Sequence, residues 1–90
     1  MHIENPEVLE KIALATFSAT GDGMHVEVTK ADKNGKEIDN NPIITFREED
    51  GVGLQVVIHG NQNDIIFPLS ELKRAIDFAE KEVHCESFYD

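Results

Sequence analysis

The chain has 90 residues and a formal net charge of −10, from 18 acidic against 8 basic side chains. A chain this short builds one hydrophobic core, so 1–90 reads as a single domain with 83–90 as a C-terminal tail; its 40% apolar content excludes a disordered segment. The acidity opposes direct binding to nucleic acid or to an anionic membrane and favours a basic protein surface as partner.

In chain order, "NPEVLEKIALATFSAT" opens with helix-start signals. Asn5 suits a cap, Pro6 the first helical position, and Glu7 and Glu10 the positive end of the helix dipole. Val8, Leu9, Ile12, Ala13 and Thr16 share one helical face while Leu14 falls opposite. The spacing predicts a helix from about 6 to 18, the alternative being that "LATFSAT" runs extended. After the "GDG" break the period becomes two: Met24, Val26 and Val28 alternate with His25, Glu27 and Thr29, as in a half-buried strand. "KNGK" (33–36) predicts a type I′ hairpin turn. Further strands follow at "PIITFRE" (42–48), "VGLQVVIH" (52–59) and "DIIFPL" (64–69). Ser70 is placed as the cap of a last helix whose stripe is Leu72, Ala75, Ile76, Ala79 and Val83, with Phe78 off it beside Glu71 and Glu82. The expected fold is α+β: a four-stranded antiparallel meander with an N-terminal and a C-terminal helix on one face, in the order α-β-β-β-β-α.

"FREEDGVG" (46–53) concentrates Glu48, Glu49 and Asp50 where one strand must turn into the next. Asp-Gly is a favoured hairpin turn, and a hairpin tip offers no cleft in which burial would separate carboxylate pKa values for acid–base work. "ADKNGKEIDNN" lacks the ligand spacing of a calcium loop. His2, His25, His59 and His84 are scattered, with His25 and His59 expected on the polar side of the sheet, and His84–Cys85 is a poor start to a zinc shell. No phosphate-binding glycine loop or nucleophile elbow is present. The expectation is a non-enzyme with no metal or other cofactor. The lone Cys85 excludes an internal disulfide and suits a reducing, cytoplasmic setting. No stretch reads as a membrane span or secretory signal.

The strands followed by "PLSELKRAIDFAEKEV" are similar in element order to a single-strand-binding coactivator fold, without its basic groove. The acidity and order also resemble secretion chaperones, whose middle helix is missing. Neither resemblance extends beyond element order. Charge and surface then carry the functional expectation: a small acidic inhibitor-like module that occupies a basic surface of another protein. Immunity proteins, anti-restriction or anti-CRISPR inhibitors and nucleic-acid mimics work this way, carboxylates standing in for phosphates. Glu48, Glu49 and Asp50 at the turn, with Asp77, Glu80 and Glu82 on the last helix, are the candidate contacts. The alternative is a dimeric structural or chaperone-like module. Ile43, Val57 and Ile66 would form an apolar strip on the open sheet face for a homodimer or partner, or be singly exposed aliphatics. Phe88 and Tyr89 either fold back on the core or anchor a partner.

Overall fold

The computed structural model describes residues 6–19, 23–49 and 53–83. Its class is α+β, a four-stranded antiparallel sheet with one C-terminal helix. The sheet comprises β2 (Lys11–Ala19), β3 (Gly23–Ala31), β4 (Glu37–Glu49) and β5 (Gly53–Ile58), side by side in chain order. A two-residue pair, β1 (Glu7–Val8) and β6 (Ile65–Ile66), runs parallel beside it, and α1 spans Leu69–Glu82.

The expected N-terminal helix is absent: Lys11–Ala19 is a strand, paired with β3 from Lys11↔Ala31 to Ala19↔Gly23. The reason is visible in Leu14. On a helix it points away from Ile12, but on a strand the two share a face, and here Ile12 is buried and Leu14 packs beside it on the core. Nine consecutive pairs with β3 outweigh a helix-start signal that is local and weak. The expected fourth strand, 64–69, lies outside the sheet. Ile65–Ile66 pairs instead with Glu7–Val8, tied by Glu7 N–H to Asp64 O and Leu9 N–H to Ile66 O, both 2.8 Å.

The 32–36 turn also departs from type I′. Asn34 has no positive φ; Gly35 alone does, at 87°. Gly35 N–H donates to Asp32 O at 2.9 Å, and the Asp32 carboxylate accepts from the N–H groups of Asn34 and Lys36, each at 2.9 Å. This is a type I turn followed by a left-handed glycine, the usual three-residue hairpin loop. Asp32, rather than Asn34, supplies the side-chain brace.

Between β3 and β4 the register slips: Val28 faces Ile44 but Thr29 faces Pro42. Ile43 is the extra residue of a bulge, and a bulge turns a side chain out of strict alternation. Ile43 therefore joins the buried cluster of Leu9, Ile12, Val26, Val28, Phe46, Ala75 and Ala79, with Ile44 packed against it. Pro68, extended at φ −63°, is the N-cap of α1 without a side-chain bond, and its carbonyl accepts from Glu71 N–H at 3.0 Å. Ser70 lies one position inside the helix. The buried face of α1 is centred on Glu71, Ala75 and Ala79, with Phe78 packed against the core. Ile76, assigned to the core stripe from sequence, is 40% exposed. The helix is thus turned from the expected setting. Small alanines allow it to sit close on β2 and β3, and a charged residue occupies the buried position where an apolar one was expected.

Candidate functional site

Glu71 is that charged residue, and it sits at the edge of the sheet. Its Oε1 accepts from the Ile12 N–H at 3.1 Å, while Arg74 Nη2 donates to Ile12 O and to Glu71 Oε1, both at 2.7 Å. Ile12 pairs with Lys30 across β3, yet its own N–H and C=O point outward, as every second residue of an edge strand does. The helix therefore clips both free backbone groups of this residue. The Arg74 guanidinium, ahead of the bond from Ile12, holds the Glu71 carboxyl below the usual carboxylate range against the opposing effect of burial.

The basic residues gather on the same side. Lys73, Arg74 and Lys81 line a groove of about 420 Å³ with Leu14, Asp77 and Phe78. Lys11, Arg74, Asn34 and Gly35 border the adjoining one; Lys33 and Lys36 are exposed and are the chain neighbours of Asn34 and Gly35. Lys30 is elsewhere, 2.9 Å from Glu7 and 3.8 Å from Asp39, and the Glu7 bond above all raises its pKa.

Glu48 is half-buried on β4 and has an interaction partner; the Glu49 side chain and Asp50 lie outside the described residues, as does the Asp50–Gly51 turn. Glu49 and Gly53 are backbone partners across β4 and β5, flanking that turn. On α1, Glu80 is exposed, Asp77 lies in the basic groove, and Glu82 is half-buried with a partner. The proposed apolar strip does not form. Ile43 is 4% exposed in the core, Ile66 belongs to the β1–β6 pair, and Val57 stands beside Thr45 on the sheet face away from α1. On that face His25 is half-buried, stacks on the Phe17 ring at 5.7 Å and lies 3.8 Å from Glu27. His59 Nε2 is 2.8 Å from Thr45 Oγ1. Among the described residues no three His, Cys, Asp or Glu side chains are placed to share a metal ion. His84, Cys85, Phe88 and Tyr89 lie outside the described residues. No described helix is long and apolar enough to cross a membrane.

What sequence reasoning missed is the opposite edge. β5 carries Leu54, Val56, Val57 and Ile58 at 45%, 56%, 37% and 79% exposure. Among the described residues α1 packs chiefly on β2 and β3, and β5 has β4 as its one strand neighbour. Three consecutive aliphatics, Val56 to Ile58, were the signal: a strand with apolar residues on both faces needs cover on both. The chain matches no protein-family model, no curated protein and no solved structure.

Proposed function

We propose that the protein is a non-catalytic, acidic binding module that occupies a basic surface of another protein, working in a reducing, cytoplasmic compartment. The observation that carries this reading is the distribution of charge. Of the eight Lys and Arg residues, Lys11, Lys73, Arg74 and Lys81 border the grooves beside α1, and Lys33 and Lys36 are chain neighbours of the lining residues Asn34 and Gly35. Lys30, paired with Glu7 and Asp39, and Arg47 are the other two cations, while Glu27, Glu37, Glu48, Asp64 and Glu80 lie outside the groove linings. Such a surface presents carboxylates in place of phosphates and steers a cationic partner toward it. The hairpin-tip acids Glu48, Glu49 and Asp50 and the outward Glu80 are its contacts in this reading; Asp77 and Glu82 contribute to the field rather than to contact. Immunity proteins, restriction or CRISPR inhibitors and nucleic-acid mimics are the functional classes that share this physics.

The test uses a nucleic-acid-binding partner recovered by capture and then purified. The reading requires its affinity to fall at least tenfold between 50 and 500 mM salt, duplex DNA to compete for it, and E48Q/E49Q/D50N to slow association more than it speeds dissociation. Binding indifferent to salt and to DNA, or unchanged association of the triple variant at low salt, rejects it.

A further inference from the structure

The two edges of the sheet are finished differently. At β2 the outward backbone groups of Ile12 are taken by Glu71 and Arg74. At β5, His59 N–H donates to Ile43 O at 3.0 Å, which fixes the phase of the ladder. Bonded and non-bonded pairs alternate in an antiparallel sheet, so residues 53, 55 and 57 turn their backbone groups toward β4. Those of Leu54, Val56 and Ile58 point away from the sheet. The same three side chains lie on the α1 side, Val56 opposite Phe46 and Ile58 opposite Ile44. One flank of α1, with Arg74, Phe78 and Lys81, borders Leu14 of β2. The other flank carries Leu69 (65% exposed) and Ile76. Beside Ile44 and Ile58 the sheet is bordered by His59, Asn61, Asp64 and Phe67 of the following segment, while Leu54 and Val56 leave exposed apolar surface along the outer edge.

We propose that β5 is a self-association edge: two copies pair their β5 strands antiparallel about a two-fold axis at Val56, giving one eight-stranded sheet. Three observations select a second copy over another occupant. First, the outward groups are symmetric about Val56, so Leu54 of one copy stands opposite Ile58 of the other, and each residue exchanges both backbone bonds with its opposite. Second, "GLQVVI" carries no charge in a chain of −10. Identical chains meet there without facing carboxylates, whereas a basic partner would find no countercharge. Third, a two-fold pairing uses up the β5 edge of both copies, and the helix clip interrupts the other edge at Ile12, so association is expected to stop at a closed dimer rather than a filament. A six-residue strand about 20 Å long covers less than the ~800 Å² per partner of a standard interface, so a weak, concentration-dependent association is expected. Like net charges repel over a distance that salt shortens from about 10 Å at 0.1 M to about 3 Å at 1 M. Salt therefore strengthens this dimer, the opposite of its effect on the basic-partner contact.

Sedimentation of the full chain from 5 to 500 μM, at 50 and 500 mM salt, tests it. The expected result is a reversible monomer–dimer equilibrium at least threefold tighter at high salt. Val56→Lys places a charge on the exposed strand and should weaken the dimer more than 100-fold. Val56→Pro removes an N–H that β4 does not use, so the monomer keeps its circular dichroism and melting temperature while the dimer is lost. A chain monomeric throughout, dimers that survive both substitutions, or assemblies beyond two overturn the proposal. A monomer whose Leu54, Val56 and Ile58 amides exchange slowly also overturns it, since the edge is then covered from within its own chain.

Discussion

Replacing Glu71 by Ala strips the Ile12 amide of its acceptor at a site where Ile12 itself is 1% exposed. A buried N–H left unpaired costs about 1–3 kcal/mol. The lost ion pair adds little, because the Arg74 side chain is 49% exposed and returns to water; the relief of no longer burying a carboxylate offsets part of the rest. The net expectation is ~2 kcal/mol, or a fall of about 8–16 °C in melting temperature for a domain of this size. Glu71→Gln keeps an oxygen for the Ile12 N–H and loses charge assistance alone, so it should cost about 1 kcal/mol. pH separates the terms. The folded-state pKa of Glu71 lies below its ordinary value of 4.5, so its contribution is fully present above pH 4.5 and is lost as pH falls through the lowered value. The gap between wild type and Glu71→Gln should therefore close toward pH 2, while Glu71→Ala stays less stable than both. Urea melts followed by circular dichroism at pH 7, 4 and 2.5 read this directly. A Glu71→Ala loss below about 0.5 kcal/mol at pH 7, or a glutamine variant as unstable as the alanine one, refutes the clip as the fastening of β2.

Ile43→Ala should cost about 2–4 kcal/mol in denaturant melts, because the bulge buries the side chain in the core; Val57→Ala, on the exposed face, should cost less than about 1 kcal/mol. Gly35→Ala should cost about 1–2 kcal/mol from backbone strain at φ 87°. The nearest atom to the added methyl, Lys11 Cδ at 3.6 Å, is ordinary contact, so no steric penalty adds to this, and Gly35→Asn should be milder in the same thermal melt. Lys30 bridges Glu7 and Asp39 with a raised pKa, so its contribution is present below its ordinary 10.5 and fades as pH rises through the higher folded value. Lys30→Met should flatten that alkaline decline in melts between pH 9 and 12 and change stability at pH 7 by no more than ~1 kcal/mol.

The strands around Val26, Val28, Phe46 and Val56 were legible because period-two alternation is dictated by the pleat and needs no tertiary information. The last helix was legible in extent but not in orientation. Glu71 reads as an outward residue to any hydrophobicity pattern, since what permits its burial is Ile12 and Arg74, one of them 59 residues away. Lys11–Ala19 carries helical and extended periodicities together, and only the pairing with β3 decides between them. Leu14, the residue that fitted the helix badly, pointed to the right answer. The bulge at Ile43 leaves no trace in "PIITF", where either phase puts an isoleucine on the core. The apolar strip of Ile43, Val57 and Ile66 failed for that reason, and because Ile66 belongs to a strand that never joins the sheet. The open edge at β5 was half legible. Val56–Val57–Ile58 shows a strand apolar on both sides, but which side goes uncovered depends on where α1 lands.

The Ile12–Glu71 contact also has a timetable. Its two residues are separated by 59 positions, which a ribosome working at about 5–20 residues per second takes roughly 3–12 s to bridge. Within that interval the β2–β3 hairpin and then the β3–β4 hairpin, whose contacts are local, can form as Ala31 and Glu49 are added, and the nascent sheet then has raw margins on both sides. A growing chain at this stage is at its most prone to pair with a neighbour emerging from the same messenger. Arrival of α1 takes up the Ile12 groups and so interrupts the margin at β2. A variant such as Glu71→Ala would then be expected to lose yield during synthesis out of proportion to its loss of equilibrium stability.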